Sequence, residues 1–297
     1  MRYVLITPAH NEEAFIQKTL DSVVAQTLLP ERWVIVDDGS TDRTADIVRG
    51  YAEQFSWIEL VQRSQRPNRS FAGKVHAFNA GLERVQPLEF DVIGNLDADI
   101  SFDRDYFEFL LGKLKKHPRL GVTGTTMREA NHDPLKDTFY DFRDVFGACQ
   151  LFRRECFDEV GGYTPIKWGG IDWIAVRTAR LKGWETRSFT EKFFYHHRPM
   201  GATESNTWKA RFDYGRKDYF LGNHPLWQFF RVTFQMTKRP YVVGGVLLLS
   251  GYFYSFVSRI QRPLAPELLR FHRREQLERL RQLLLHFLKT GRLRLRS

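Results

Sequence analysis

The chain has 297 residues, 42% of them hydrophobic and 14% aromatic, which is enough for one large domain with an appendage or for two ordinary domains. Its only cysteines, Cys149 and Cys156, cannot form a disulfide framework, and the opening MRYVLITPAHNEE turns polar too early for a secretory signal, so we expect a reducing compartment. The net charge of +10 is concentrated in residues 259–297, which contain 11 basic and 3 acidic residues, and this basic segment could bind nucleic acid or anionic lipid.

Short apolar runs alternate with amphipathic helical patterns through the first hundred residues. The predicted strands are Tyr3–Thr7, Trp33–Val36, Ile58–Val61 and Asp91–Leu96, and the predicted helices are Glu12–Thr27, Thr44–Phe55 and Lys74–Val85. This alternation predicts an α/β fold with a Rossmann-like, doubly wound, mostly parallel sheet. Ligands bind such sheets at the carboxyl ends of the strands.

Polar clusters follow three of these strands. They read TPAHNEE after the first, DDGSTD after the second and DAD, residues 97–99, after the fourth. Asp97 and Asp99 are separated by one residue, so in an extended chain they point to the same side and can share Mg²⁺ or Mn²⁺. Turns and helix caps use the same residue types, and each cluster alone has that simpler interpretation.

Residues 241–258 form an uncharged stretch, YVVGGVLLLSGYFYSFVS, with Lys238 and Arg239 before it and Arg259 and Arg262 after it. As a helix it would cover about 27 Å, slightly less than a bilayer core of about 30 Å. A buried core helix is the alternative. The adjoining basic segment favours an anionic membrane surface over nucleic acid, and whether the stretch spans, re-enters or lies on the membrane is left open.

The order of the motifs TPAHNEE, VDDGSTDRT, AGKVHAFNAG and NLDAD resembles the inverting glycosyltransferases of family 2, which have the GT-A fold. The resemblance continues through FGACQLFRRECFDEVGGY and GGIDWIAVRTARLKGWE, and so covers residues 2–200. It implies a nucleotide-sugar donor held with Mn²⁺ or Mg²⁺. The implied donor-binding residues are Pro8, His10, Glu12, Asp38, Lys74 and Asp97, with Arg63, Arg66 and Arg69 as further diphosphate contacts, and the implied metal ligands are Asp99 and His197.

By the same resemblance, Asp172 would be the general base that deprotonates the acceptor hydroxyl. The family usually has an acidic residue before this aspartate, whereas this chain has Ile171. Capping of a helix from Trp173 to Leu181 is the alternative role for Asp172. Trp168 and Trp173 are candidates for stacking on a sugar or for core packing. Arg198 is a candidate for binding phosphate through both guanidinium nitrogens.

These observations predict a GT-A domain over residues 1–223 and a helical, basic, membrane-associating region over residues 224–297. We expect a single-addition transferase, because the Gln-x-x-Arg-Trp signature of processive synthases is not found where it would be expected. The expected donor is a UDP-sugar, and the expected acceptor is a lipid-linked or envelope glycan at the cytoplasmic face of the cell membrane. A nucleotidyltransferase and a catalytically silent membrane scaffold are the alternatives.

Overall fold

The computed structural model describes residues 1–64, 71–129, 141–166, 169–198 and 207–290. The chain divides into two units, one containing the described residues up to Arg198 and the other those from Thr207 onward. The boundary predicted at residue 223 therefore lies inside the second unit, because the helix that precedes it packs with the helices that follow.

The first unit is built from alternating strands and helices. Its strands are β1 (Tyr3–Ala9), β2 (Arg32–Asp37), β3 (Ile58–Gln62), β4 (Val92–Leu96), β5 (Ile100–Phe102), β6 (Leu120–Arg128), β7 (Cys149–Arg153) and β8 (Glu185–His196). Its helices are α1 (Ile16–Val24), α2 (Thr44–Gln54), α3 (Phe71–Val85), α4 (Tyr106–Lys116), α5 (Arg154–Val160) and α6 (Ile171–Leu181). Each strand and helix predicted for the first hundred residues is present, with ends displaced by a few residues.

The strands form one mixed sheet in the order β3-β2-β1-β4-β7-β6-β8-β5. Strands β3, β2, β1 and β4 are parallel, as predicted. In the other half, β6 and β8 are parallel, whereas β7 is antiparallel to both β4 and β6, and β5 is antiparallel to β8. Four of the seven described strand pairings are therefore parallel, and the antiparallel ones all involve strands beyond β4, where no regular strand–helix alternation reveals them.

Apolar residues of the parallel strands fix this half of the sheet. Trp33, Ile35 and Leu5 are fully buried in the core with residues of α1 and α4. The Trp33 indole Nε1 donates to Thr7 Oγ1 at 2.9 Å, so the polar atom of this large side chain is satisfied inside the core. The buried strands hold their carboxyl ends side by side, where the polar loops begin.

The second unit consists of helices in its described part. These are α7 (Thr207–Phe220), α8 (Pro225–Met236), α9 (Val243–Val257) and α10 (Pro266–Thr290). Helices α7 and α9 approach each other backbone to backbone, because a β-carbon on Gly215 would lie 2.0 Å from Leu248 O and one on Gly251 would lie 1.9 Å from Phe212 O. Glycine at these two positions is thus required for the packing.

Buried polar groups join the remaining helices of this unit. Asn223 Oδ1 accepts from Gln276 Nε2 at 2.7 Å and lies 3.2 Å from His272 Nε2, and Tyr252 Oη donates to Asn223 O at 2.9 Å. These bonds connect the α7–α8 turn to α9 and α10. Within the described ranges, no helix has both the length and the apolar character needed to cross a membrane.

Candidate functional site

The first two polar clusters meet at the carboxyl ends of β1 and β2. Asp38 N donates to Ala9 O at 2.8 Å, and His10 Nδ1 lies 2.9 Å from Asp38 O. The Asp37 carboxylate accepts from Ser40 N at 3.1 Å and so serves the turn. The Asp38 carboxylate instead pairs with Arg63 Nη1 at 2.8 Å, and Pro8 lies in β1 beside Val36 of β2. The turn interpretation therefore fits Asp37 rather than Asp38.

Asn11 has a left-handed backbone conformation, with φ of 54°, and its hydrogen bonds connect these two loops, a contact that we call the Asn11 brace. Its side-chain Oδ1 accepts from Thr41 N at 2.8 Å, and its own N–H donates to Ser40 Oγ at 2.9 Å. Glu12 N donates to Thr44 Oγ1 at 2.7 Å. A left-handed asparagine is uncommon but tolerated when its short side chain bonds locally. The brace holds Glu12 in place, and it was not anticipated from the sequence.

Lys74 lies among carboxylates from two parts of the chain, the segment after β4 and the start of α6. Its Nζ forms an ion pair with Asp97 Oδ1. Burial alone would lower the pKa of Lys74, but the charges of Asp97, Asp172 and Asp99 raise it above its ordinary value. Lys74 on α3 and Asp97 after β4 therefore lie in the same cluster as Asp172 on α6, as the predicted site requires.

Asp99 is buried, with 7% of its surface exposed. Burial and the neighbouring Asp97 raise the pKa of its carboxyl, and the neighbouring His196, Arg198 and Lys74 partly offset that effect. A buried carboxylate beside a second carboxylate favours a cation at this position. The side chains that approach Asp99 come from the end of β8.

Asp172 lies in the first turn of α6, one residue after the helix begins. The N-cap is Gly170, with φ of 96°, so Asp172 is not the cap that the alternative interpretation required. A β-carbon added to Gly147 would lie 2.5 Å from Asp172 Oδ2. The backbone of Gly147 thus contacts the carboxylate directly, and Asn95 Nδ2 donates to Gly147 O at 2.6 Å.

Arg198 connects two of the predicted site residues. Its Nη2 donates to Glu12 Oε2 at 2.5 Å, and its Nε lies 3.4 Å from Asp99 Oδ2. Glu12, 4% exposed, follows β1, whereas Asp99 follows β4. One guanidinium therefore links the loop predicted to hold the nucleoside with the carboxylate predicted to hold the metal.

The two consecutive histidines at the end of β8 have different neighbours. His196 Nε2 lies 3.6 Å from Asp99 Oδ1, and its Nδ1 lies 3.8 Å from Glu129 Oε1. His197 Nε2 instead lies 2.8 Å from Ser101 Oγ, and its ring stacks on Phe15. The contacts thus bring His196, rather than the predicted His197, to the Asp99 carboxylate.

A divalent cation can be tested against this donor set. In the described part of the chain, no group of three or more His, Cys, Asp or Glu side chains is arranged to hold a metal ion. Asp99 and His196 nevertheless face each other, and His196 Nδ1 is a buried ring nitrogen without a hydrogen bond. Such a two-residue set suits a cation that takes its other ligands from substrate phosphates and water.

The remaining predicted residues are three outside the described ranges and the tryptophan that follows Asp172. Arg66, Arg69 and Trp168 lie outside the described residues. Trp173 is half-buried, and the guanidinium of Arg177 lies 5.2 Å from its ring centre. Helix α6 thus presents Trp173 beside Asp172, in a position compatible with either stacking or packing.

Known proteins are similar to this chain in sequence and in fold. Residues 4–138 match the family model described as Glycosyl transferase family 2. The chain is similar to probable glycosyltransferase YdaM of Bacillus subtilis, at 27% identity over 77% of this chain and 58% of YdaM. It is also similar to poly-beta-1,6-N-acetyl-D-glucosamine synthase of Staphylococcus epidermidis, at 32% identity over 39% of this chain and 26% of the synthase. The chain therefore spans less than two thirds of either relative.

Solved structures share the fold at low sequence identity. Mannosyltransferase PcManGT from Pyrobaculum calidifontis, in complex with GDP-Man and Mn²⁺, aligns with a TM-score of 0.56 and 18% identity over 98% of this chain and 81% of its own. S. aureus TarS 1-349, in complex with UDP-GlcNAc, aligns with a TM-score of 0.55 and 14% identity over 91% of this chain and 79% of its own. Residues 4–138 therefore resemble the glycosyl transferase family 2, and the fold is a mixed, curled sheet of the GT-A type.

Proposed function

We propose that this protein is a metal-dependent, inverting glycosyltransferase that moves a sugar from a nucleotide-sugar to a hydroxyl of a glycan acceptor. The observation that carries the proposal is the convergence of Asp97, Asp99 and Asp172 on Lys74. These four residues come from three separate parts of the sequence, yet their charges act on one another. The cluster therefore contains a candidate group for binding the donor diphosphate, Lys74, one for binding a cation, Asp99, and a candidate general base, Asp172.

The candidate general base is Asp172. In inverting transfer, the base takes the proton of the acceptor hydroxyl while its oxygen attacks the anomeric carbon on the face opposite the leaving group. Asp172 lies in the first helical turn without serving as the cap, and Gly147 leaves space beside its carboxylate. Its carboxylate is half-buried and has no hydrogen bond among the described residues, which leaves it able to accept a proton.

The candidate metal-binding group is Asp99, assisted by His196 rather than by His197. A bound Mn²⁺ or Mg²⁺ would neutralise charge on the leaving diphosphate. Lys74 would add a permanent positive charge, since its carboxylate neighbours keep it protonated. Asp97 orients this lysine through their ion pair.

The nucleoside is proposed to bind between the loops after β1 and β2. Asp38 and Glu12 offer carboxylate acceptors there, and each is held by an arginine, Arg63 or Arg198. His10 and Pro8 complete the predicted lining. The resemblance favours a UDP-sugar, and the solved neighbours hold UDP-GlcNAc or GDP-Man, so these two donors are the first to test.

Two alternatives fit these contacts less well. A silent scaffold has no need for the buried Asp99 carboxylate beside the charges of Lys74 and Asp97, because unneeded buried charge is costly. A nucleotidyltransferase would be expected to have a Gly-rich, basic loop after its first strand, and this chain has TPAHNEE there.

We also propose that the second unit attaches the enzyme to an anionic membrane surface, at the cytoplasmic face where nucleotide-sugars are available. Helix α9 carries no charge, and one side of it is buried through Leu248, Gly251 and Ser255. Its other side is exposed: Phe253 is 60% and Val257 is 63% accessible. An apolar face of this kind in a basic region suits insertion among lipid headgroups.

Charge and aromatic content support the same surface. Lys238 and Arg239 precede α9, Arg259 follows it, and Tyr241 and Tyr254 are exposed near its two ends. Aromatic side chains favour the membrane interface, and basic side chains favour anionic headgroups. A lipid-linked or envelope glycan is the acceptor that this attachment would bring within reach.

Thermal unfolding with candidate donors tests the enzymatic proposal. UDP-GlcNAc, GDP-mannose and their free nucleotides are compared with and without Mn²⁺. A specific donor should raise the unfolding temperature only when Mn²⁺ is present, because a ligand stabilises the state that binds it. Release of sugar from the stabilising donor should follow the same metal requirement. Stabilisation that is equal in EDTA would contradict metal dependence, and the absence of any donor effect would favour the scaffold.

A further inference from the structure

The inference concerns Arg198 and rests on the proposed role of Asp99 in holding a cation. Each oxygen of the Asp99 carboxylate already faces a basic group. Oδ1 lies 3.6 Å from His196 Nε2, and Oδ2 lies 3.4 Å from Arg198 Nε. A divalent cation approaching Asp99 therefore meets a carboxylate whose negative charge is partly balanced by the protein itself.

Arg198 is held in this position by a second carboxylate. Its Nη2 donates to Glu12 Oε2, on a side chain that is 5% exposed, whereas Arg198 itself is 26% exposed. The Arg198 guanidinium also lies over the Phe15 ring, with 5.6 Å between its central carbon and the ring centre. The arginine is thus fixed by Glu12 and Phe15 on one side and by Asp99 on the other.

We propose that Arg198 is an internal counter-cation that opposes metal binding until the donor arrives. In the donor-free protein its single positive charge is shared between Glu12 and Asp99. When a nucleoside diphosphate enters, its phosphates provide new negative partners for the guanidinium, which binds phosphate well through two nitrogens. Asp99 is then released to the metal, and metal and donor bind cooperatively.

Electrostatics decides the sign of this effect. A fixed positive charge within about 4 Å of a ligand oxygen repels a divalent cation strongly, even at the effective dielectric constant of a protein surface. Removing that charge should favour the metal in the absence of donor. The same removal should disfavour the donor, because the diphosphate loses a partner. A residue that merely stabilised the fold would not move the two affinities in opposite directions.

Linkage makes the proposal measurable without catalysis. If Arg198 makes the metal and the diphosphate cooperative, each ligand must increase the affinity of the other by the same factor. In the wild type, UDP or GDP should therefore tighten Mn²⁺ binding well beyond its donor-free value. In Arg198→Gln the nucleotide should increase Mn²⁺ affinity by a smaller factor. The reason is that no guanidinium competes with Mn²⁺ for Asp99 in this variant, even before the nucleotide binds.

The experiment is calorimetric titration of Mn²⁺ into the full chain, repeated with saturating UDP and with saturating GDP. Arg198→Gln is compared with Lys192→Gln, which removes a positive charge from β8, the strand that precedes Arg198, but one that pairs with Asp105. We expect donor-free Mn²⁺ affinity to rise about tenfold in Arg198→Gln and to stay unchanged in Lys192→Gln. We also expect nucleotide affinity in the presence of Mn²⁺ to fall in Arg198→Gln alone.

Unchanged or weaker donor-free Mn²⁺ binding by folded Arg198→Gln would overturn the counter-cation role and leave the enzymatic proposal intact. Arg198→Lys, which keeps the charge, covers the case in which the glutamine variant fails to fold, and it should retain most of the metal–nucleotide cooperativity. Wild-type Mn²⁺ binding that is equally tight with and without nucleotide would also overturn the proposal. If Mn²⁺ binds under no condition, the proposed metal dependence fails together with the inference.

Discussion

Gly147 and Asp172 lie in direct contact, so that a β-carbon on Gly147 would be 2.5 Å from Asp172 Oδ2. Gly147 precedes β7, and Asp172 belongs to the first turn of α6. The glycine is therefore needed for space rather than for a positive φ angle. Any side chain at this position must displace the proposed base or the segment before β7 that contains Gly147.

Gly147→Ala should for this reason reduce turnover while leaving donor binding nearly unchanged. A displacement of about 1 Å at a reacting group costs on the order of 10²-fold in rate. The variant's kcat and its calorimetric donor affinity measure the two effects separately. Gly112→Ala is the control, because a β-carbon there would meet no atom within 4 Å, and alanine in a helix stabilises by roughly 0.5–1 kcal/mol. Normal kcat in Gly147→Ala would show that the carboxylate position is not limiting.

Asp172→Asn tests the base directly. Asparagine keeps the size of the side chain but cannot accept the acceptor's proton. Loss of general-base catalysis typically lowers rates by about 10²- to 10⁴-fold, or roughly 3 to 5 kcal/mol of transition-state stabilisation. Donor affinity should change little, since the nucleotide is assigned to Asp38, Glu12 and the metal. Transfer rate is measured beside donor affinity, and near-normal transfer would mean that another group takes the proton.

The metal site offers a comparison between adjacent histidines. Chelation by EDTA should abolish transfer, and Mn²⁺ or Mg²⁺ should restore it. His196→Ala should weaken Mn²⁺ binding in the presence of donor, because its Nε2 faces Asp99, whereas His197→Ala should leave that affinity almost unchanged. Asp99→Ala should remove metal-dependent donor binding altogether. The opposite result for the two histidines would support the sequence-based assignment of His197.

That choice between His196 and His197 shows where sequence reasoning reaches its limit. Neighbouring residues of a strand face opposite sides, so selecting one of them requires the register of β8 against β5. Local patterns contain no such information. The runs that formed β1 to β4 were recognisable because each is a short apolar segment between a turn and a helix, and their ends place Asp38, Asp97 and Asp99 without knowledge of register.

Contacts between residues far apart in the sequence could not be predicted from the sequence either. Arg198 and Glu12 are separated by 186 positions, and no motif joins them. The contact between Gly147 and Asp172 depends on the antiparallel placement of β7, which the sequence did not predict. Asn11 is visible within TPAHNEE, but its left-handed brace to Ser40 and Thr41 follows from the packing of two loops. Candidate groups were therefore predictable, whereas most of their pairings were not.

Membrane attachment of the second unit is testable through the exposed side of α9. Deleting residues 241–297 should release the protein from membranes, but it would also remove the helix that packs on Gly215 and so confuse unfolding with release. Substitutions on the exposed side avoid this. Phe253→Glu combined with Phe256→Glu adds two charges to side chains that are more than half accessible, and the buried packing of Gly251 and Tyr252 is left in place.

The double variant should bind phosphatidylglycerol-containing vesicles at least about tenfold more weakly than the wild type, since burial of each Phe contributes roughly 1.5–3 kcal/mol. Wild-type binding should be weaker to phosphatidylcholine vesicles and should decrease with salt, because exposed charges are screened. Vesicle co-sedimentation measures binding, and circular dichroism monitors the fold. Leu29→Glu, which adds one negative charge to an exposed residue of the first unit, should bind normally. If the double variant binds as tightly as the wild type, the α9 face is not the attachment surface. If Leu29→Glu loses vesicle binding to the same extent, the loss is caused by the change in net charge and not by the α9 face.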